Sequence, residues 1–172
     1  VKAGKVDVDY LIRYTNAPWL VIDNPGTANH GLFARDKDGN ALVIDRKTGK
    51  AVAYNKKGVK PDLQGEVTIR GKGKARPSFQ LLAEKYAADE YAPENVAETT
   101  GVSAAQIRRL AAEIAHTAFE KEIVVDQPWT DMKGEKHEKM IGRPVSFHAM
   151  RGISAHSNGF QTSRAIHLLQ IL

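Results

Sequence analysis

The apolar and polar positions change period several times along the chain, and each change predicts an element. Across residues 6–14 acidic residues alternate with apolar ones ahead of Thr15-Asn-Ala-Pro-Trp-Leu-Val-Ile-Asp23. That order predicts a short helix leading into a strand, closed by the turn at Asn24-Pro-Gly26. Residues 32–55 read as a meander, because three short β-rich runs are separated by the Gly-bearing turns at residues 36–40 and 46–50. A further strand is expected at residues 66–70. After Pro77 the period becomes helical, with Phe79, Leu82, Ala83 and Tyr86 sharing a face. Pro93 ends that helix and opens a short one closed by Gly101. Ser103 and Gln106 form a capping box for a longer helix whose apolar stripe is Ile107, Leu110, Ala111, Ile114, Ala115 and Ala118. Arg108 and Arg109 fall off this stripe and read as solvated.

Residues 122–126 then form a β-branched run, residues 130–139 a charged surface excursion, and residues 145–150 an alternating strand. A polar, Gly-bounded connection at residues 151–159 enters a final helix running to Leu172. Helix, strand, strand and helix in this order predict an α/β domain, with ligands at strand ends. The expected fold is part of a Rossmann-like, mostly parallel sheet flanked by helices and carrying a small β-meander insertion. Its expected divisions are residues 1–23, the helix and strand that open the α/β domain; 24–76, a hairpin insertion with basic loops; and 77–172, a helical and α/β segment.

Composition narrows the chemistry. The chain has 172 residues, 42% of them hydrophobic, enough for a buried core. It lacks the roughly 20 consecutive apolar residues of a membrane helix. With no cysteine, disulfides, thiolate metal sites, Cys-held clusters and Cys nucleophiles are excluded from these residues. The formal charge of +5 and a pI of about 9.4 allow an anionic partner. Much of the excess lies at residues 56–60 and 70–76. These Gly-containing stretches read as solvated loops rather than a nucleic-acid patch, since no aromatic residues interleave with the charges. The chain begins at Val1 and stops within the apolar run AIHLLQIL, the expected look of an internal segment of a longer protein.

The candidate site is the connection at residues 151–162, which gathers a guanidinium, an imidazole, hydroxyls, an amide and two glycines beside a helix start. Such a segment can bind an anion or a polar heterocycle. A hydrogen-bonded turn cornered at Asn158-Gly159 explains the same residues without a ligand. No metal site is expected: His148 and His156 lack carboxylate or Cys partners at ligand spacing. GxSxG, GxGxxG and the phosphate-loop motif are absent as well.

Three passages in order carry a resemblance: YTNAPWLV (14–21), YAPENVAETTGVSAAQIRRLAAEIA (91–115) and GRPVSFHAMRGISAHSNGFQTSRAIHLLQ (142–170). Together they resemble large catalytic subunits of the dimethyl sulfoxide reductase superfamily, the bis-molybdopterin guanine dinucleotide oxidoreductases. The resemblance implies an internal segment of such a protein, inactive alone, forming part of a cofactor wall. It places catalytic roles on Arg151 and His156, and cofactor contacts on Gly152, Ser154, Asn158, Gly159, Gln161 and Thr162. It implies a bis-molybdopterin guanine dinucleotide cofactor with Mo or W, and a 4Fe-4S cluster held outside these residues. The implied partners are a small-molecule substrate, an iron–sulfur electron-transfer subunit plus a membrane anchor subunit, with no nucleic acid. A crystal dimer through the apolar last helix is a further expectation. The MRGISAHSNG loop and the insertion between Pro25 and Pro77 look most like the sulfur-oxyanion group, acting on sulfite, thiosulfate, polysulfide or tetrathionate. A formate dehydrogenase-type subunit is the neighbouring reading, and a stand-alone basic nucleic-acid-binding module the unrelated one. The compartment expected is the bacterial cytoplasm, ahead of the periplasm.

Overall fold

A computed structural model describes residues 1–172. The chain divides into two compact units, Val1–Ala88 and Asp89–Leu172.

In the first unit, α1 (Val8–Tyr14) starts where the Asp7 carboxylate accepts from the Tyr10 N–H at 3.0 Å, a side-chain N-cap. Strand β1 (Leu20–Ile22) follows. The hairpin of β2 (Leu42–Ile44) and β3 (Ala51–Ala53) forms at the expected meander, pairing Leu42 with Ala53 and Ile44 with Ala51. The run at residues 32–35 makes only isolated bridges, Val21 to Phe33 and Arg35 to Ala41. Strand β4 (Val67–Ile69) lies where expected.

The basic stretch read as a solvated loop instead contains β5 (Gly73–Pro77), the centre of a three-stranded antiparallel sheet ordered β1-β5-β4. Ala75 and Pro77 are buried while Lys74 and Arg76 are not, the alternation of a strand with one covered face. Leu20, Ile22, Ala34, Leu42, Ile44 and Ala75 form the core, with Ala51, Val67 and Ile69 packed against it. Helix α2 (Ser78–Tyr86) leaves directly from β5.

In the second unit, α3 (Pro93–Thr100) has Pro at its start and closes at Gly101, whose left-handed φ of 69° suits a residue without Cβ. The capping box at Ser103 and Gln106 opens α4 (Ala104–Glu120). Arg108 donates three hydrogen bonds of 2.7–3.1 Å to the Glu94 carboxylate, tying α4 to α3. Two antiparallel ribbons follow: β6 (Ile123–Val125) with β9 (Met140–Gly142), and β7 (Trp129–Thr130) with β8 (Lys136–His137). The excursion at residues 130–139 is therefore largely a hairpin. Residues 145–150 form no strand. A short α5 (Arg151–Ser154) precedes α6 (Gly159–Ile171).

These pairings correct the expected Rossmann-like architecture. Every strand pair is antiparallel, in one three-stranded and three two-stranded sheets. A parallel pair needs a crossover that returns the chain to the same end of the sheet. Here β6 and β9 run in opposite directions and the alternating run at 145–150 finds no partner. Of residues 89–172, only Asp131 and Gly159 are buried. Ile123, Val124, Val125, Met140 and Ile141 are all exposed, as is Leu169 on α6, while Ile166 and Leu172 are half-buried. Its helices carry local caps and the Arg108–Glu94 ion pair, and its apolar side chains do not close into a buried core. No helix is long and apolar enough to cross a membrane.

Candidate functional site

The connection at residues 151–162 folds back on itself as α5, a turn and the first turns of α6. The Ser154 hydroxyl donates to the Arg151 carbonyl at 3.1 Å, and the Asn158 N–H donates to His156 Nδ1 at 3.3 Å. The Asn158 carbonyl accepts from both the N–H and the hydroxyl of Thr162, each at 3.1 Å. Gln161 Oε1 accepts from Arg164 at 3.1 Å. The structure thus brings Arg151 to Thr162 into one local corner whose internal hydrogen bonds are those of a built turn. Arg151, Gly152, Ser154, His156, Asn158 and Gln161 are exposed, and Thr162 is half-buried.

Gly159 is the fixed point of the corner. It is buried, and a Cβ at this position would collide with the Ser154 carbonyl. Only glycine lets α6 begin this close to the end of α5. Gly152, by contrast, faces open space. Gly159→Ala is expected to open the corner at a cost of about 1–3 kcal/mol, so limited proteolysis between residues 154 and 160 should quicken about 10-fold. Gly152→Ala should leave the rate unchanged.

The pterin dinucleotide implied by the resemblance would need buried donors arranged as a cradle. Within residues 151–162 the one buried residue is Gly159, and much of the polar complement is engaged inside the turn. These residues do not by themselves fit that group, and no chemical step is derived through it.

A second cluster escaped the sequence reading. Asp131, Glu135 and His137 place one ligand-type atom each within 4.8 Å of one another on the β7–β8 hairpin. The Asp131 side chain is 1% exposed, and its Oδ2 lies 3.2 Å from His137 Nε2. Its Oδ1 accepts from the N–H groups of Lys133 and Glu135, each at 2.9 Å. The His137 ring stacks on Trp129 at 4.7 Å, and the Trp129 indole donates to the Lys139 carbonyl at 2.9 Å. The donor set is of a kind that holds a hard or borderline cation. The same Asp131 oxygens, however, already hold the turn and the imidazole, so the observed role is a hairpin lock. The signal available in the sequence was Asp131 followed by Gly134 and a His six residues on, a turn motif easily read as a charged loop. His148 is exposed and lies outside this cluster.

A shallow groove of about 380 Å³ lies against α4, lined by Glu113, Ile114, Thr117, Pro144, Val145 and Ser146. None of the expected site residues lines it. Beside it, Arg143 packs over the Phe119 ring at 4.5 Å and donates to the Ala118 carbonyl at 2.6 Å, closing the last turn of α4.

No family model matches the chain. Among curated proteins, a sulfite dehydrogenase subunit of Allochromatium vinosum is 42% identical over 175 aligned positions, which cover 96% of this chain. The chain is similar to an oxidoreductase component. It spans 18% of the length of that relative. The match overturns the reading of the chain as a piece of a dimethyl sulfoxide reductase-type catalytic subunit, because the similarity that runs almost throughout is to a sulfite dehydrogenase. It agrees with the sulfur-oxyanion expectation at the level of reaction class. The relative's name describes it as one component of a multi-subunit enzyme.

Proposed function

We propose that this chain serves in an enzyme that oxidises sulfite. The observation that carries the reading is the 42% identity sustained over 96% of the chain. In the reaction sulfite and water give sulfate, two protons and two electrons, so an electron acceptor is an obligatory co-substrate. These residues contain no cysteine, and in this reading the electrons leave through groups carried elsewhere in the enzyme or on a partner protein.

The residue best suited to meet the oxyanion is Arg151. Its exposed guanidinium is the planar fork that pairs with two oxygens of an anion at once, and it sits at the start of the corner that Gly159 fixes. His156 lies in the same corner, its Nδ1 accepting from the Asn158 N–H. The test is steady-state sulfite-dependent reduction of ferricyanide by the purified protein that contains this chain. Loss of a charge-assisted hydrogen-bonding partner is worth about 1.5–3 kcal/mol. Arg151→Ala should therefore lower kcat/KM for sulfite by about 10- to 100-fold, mainly through KM, with Arg151→Lys intermediate. An Arg151→Ala protein with unchanged KM would remove Arg151 from this role.

A further inference from the structure

The surplus positive charge of the chain is concentrated in its first unit. Residues 1–88 carry sixteen Lys and Arg against nine Asp and Glu, whereas residues 89–172 carry nine against eleven. Several acids of the first unit are already engaged internally. Asp23 and Glu84 bind Arg76, Glu66 binds Lys74, Asp62 binds Arg46, and Asp36 holds its own turn. Lys47, Lys50 and Lys60 are exposed and take part in no ion pair.

These three lysines are also placed, not merely abundant. Asp45, 9% exposed, directly follows β2 and gathers the backbone around them. Its Oδ1 accepts from the N–H groups of Lys47 and Lys60 at 3.4 and 3.3 Å, and its own N–H donates to the Lys50 carbonyl at 3.0 Å. Burial pulls the Asp45 carboxyl upward, but donation from the Lys60 N–H, the Thr48 hydroxyl and the Lys47 N–H outweighs it and holds the group below its ordinary value. The carboxylate is therefore ionised at neutral pH and engaged with backbone, and the backbones of the three exposed lysines meet around it at the turn end of the hairpin. Tyr54, the exposed aromatic of this hairpin, lies beyond the far end of β3 and packs on Trp19 at 5.6 Å. A nucleic-acid surface would set aromatic platforms among the cations, and this tip has none.

We propose that the β2–β3 tip, presented by Lys47, Lys50 and Lys60 on the Asp45 knot, is a docking surface for an acidic face of a partner protein. The inference goes beyond the sulfite reading and stands on charge placement alone. The test uses the full chain and two probes, a fluorescein-labelled hexaglutamate peptide and a labelled 20-base-pair DNA duplex, followed by anisotropy. The peptide should bind, and its affinity should fall about 10-fold between 50 and 300 mM NaCl, since exposed charge pairs are screened by salt. K47Q/K50Q/K60Q should weaken binding about 10-fold or more, while K2Q/K5Q/K85Q, with the same change in net charge, stays within about twofold of the wild type. D45N raises the net charge yet should weaken binding, because the lysines lose their common anchor. Thermal unfolding of each variant identifies those that are folded at the assay temperature. Equal losses in the two triple variants, tighter binding by folded D45N, absence of peptide binding, or DNA binding tighter than peptide and lost in K47Q/K50Q/K60Q would each overturn the proposal.

Discussion

Leu20→Ala should strongly destabilise residues 1–88 while leaving α4 nearly untouched. Leu20 is fully buried at the start of β1, in one cluster with Ile22, Ala34, Leu42, Ile44 and Ala75. Truncating such a side chain removes its transfer free energy and leaves a cavity, costing about 2–5 kcal/mol. For a unit of this size that lowers the midpoint of thermal unfolding by about 10–40 °C. Leu110→Ala is the matched control: Leu110 belongs to the apolar stripe of α4 but is 48% exposed, so its loss should stay within about 0.5 kcal/mol. Near-ultraviolet circular dichroism, with Trp19 reporting on the first unit, reads both variants. Equal effects would mean that the first unit has no privileged core.

The second large effect concerns Arg76. It stands on the uncovered side of β5, with its guanidinium 2.6 Å from Asp23 and 2.7 Å from Glu84. The bridge joins β5 to the segment after β1 and to α2, elements separated by up to 53 residues in sequence. Arg76→Ala leaves two carboxylates without their shared cation, at a cost of about 1–3 kcal/mol in this partly exposed setting. The loss should also change the acid response. Donation from the Gln80 amide, opposed by burial and reinforced by Arg76, holds the Glu84 carboxyl below its ordinary value of 4.5. A lowered folded-state value means that the stabilisation is fully present above about pH 4.5 and disappears as pH falls through the folded value. Between pH 5 and 3 the wild type should therefore lose stability more steeply than Arg76→Ala. Parallel denaturation curves across that range would show that the bridge does not stabilise the ionised carboxylate.

Local chemistry was the part of this fold legible in the sequence. Gly101 and the Ser103–Gln106 box mark helix ends because each acts on backbone groups within a few residues, and both appear where expected, as does the helix opened by Pro93, whereas the helix before Pro93 stops earlier, at Tyr86. The hairpin turns at residues 36–40 and 46–50 were equally readable. Strand β5 was not, because its inward positions are only Ala75 and Pro77, set among glycines and cations. Its neighbours β1 and β4 supply the pairing from elsewhere in the chain. Strand direction was the larger error. Alternating helices and strands suggested parallel crossovers, yet the order of elements does not encode which way a strand runs beside its partner. The 145–150 run has a strand's alternation but no ladder to join.

At the site, the glycine-cornered loop entering a helix was visible, and so were the residues gathered in it. That Gly159 is required by its contact with Ser154 is a tertiary fact. The Asp131–His137 lock was missed for a related reason: its Asp works on the turn backbone, its His is held by a ring eight residues upstream, and neither pattern has a distinctive period.

The most direct measurement is the product balance of the purified protein that contains this chain, supplied with sulfite and ferricyanide. Sulfite oxidation predicts one sulfate formed for every two ferricyanide reduced, with formate giving no turnover under the same conditions. Ferricyanide reduction supported by formate and not by sulfite, with no sulfate formed, would contradict it.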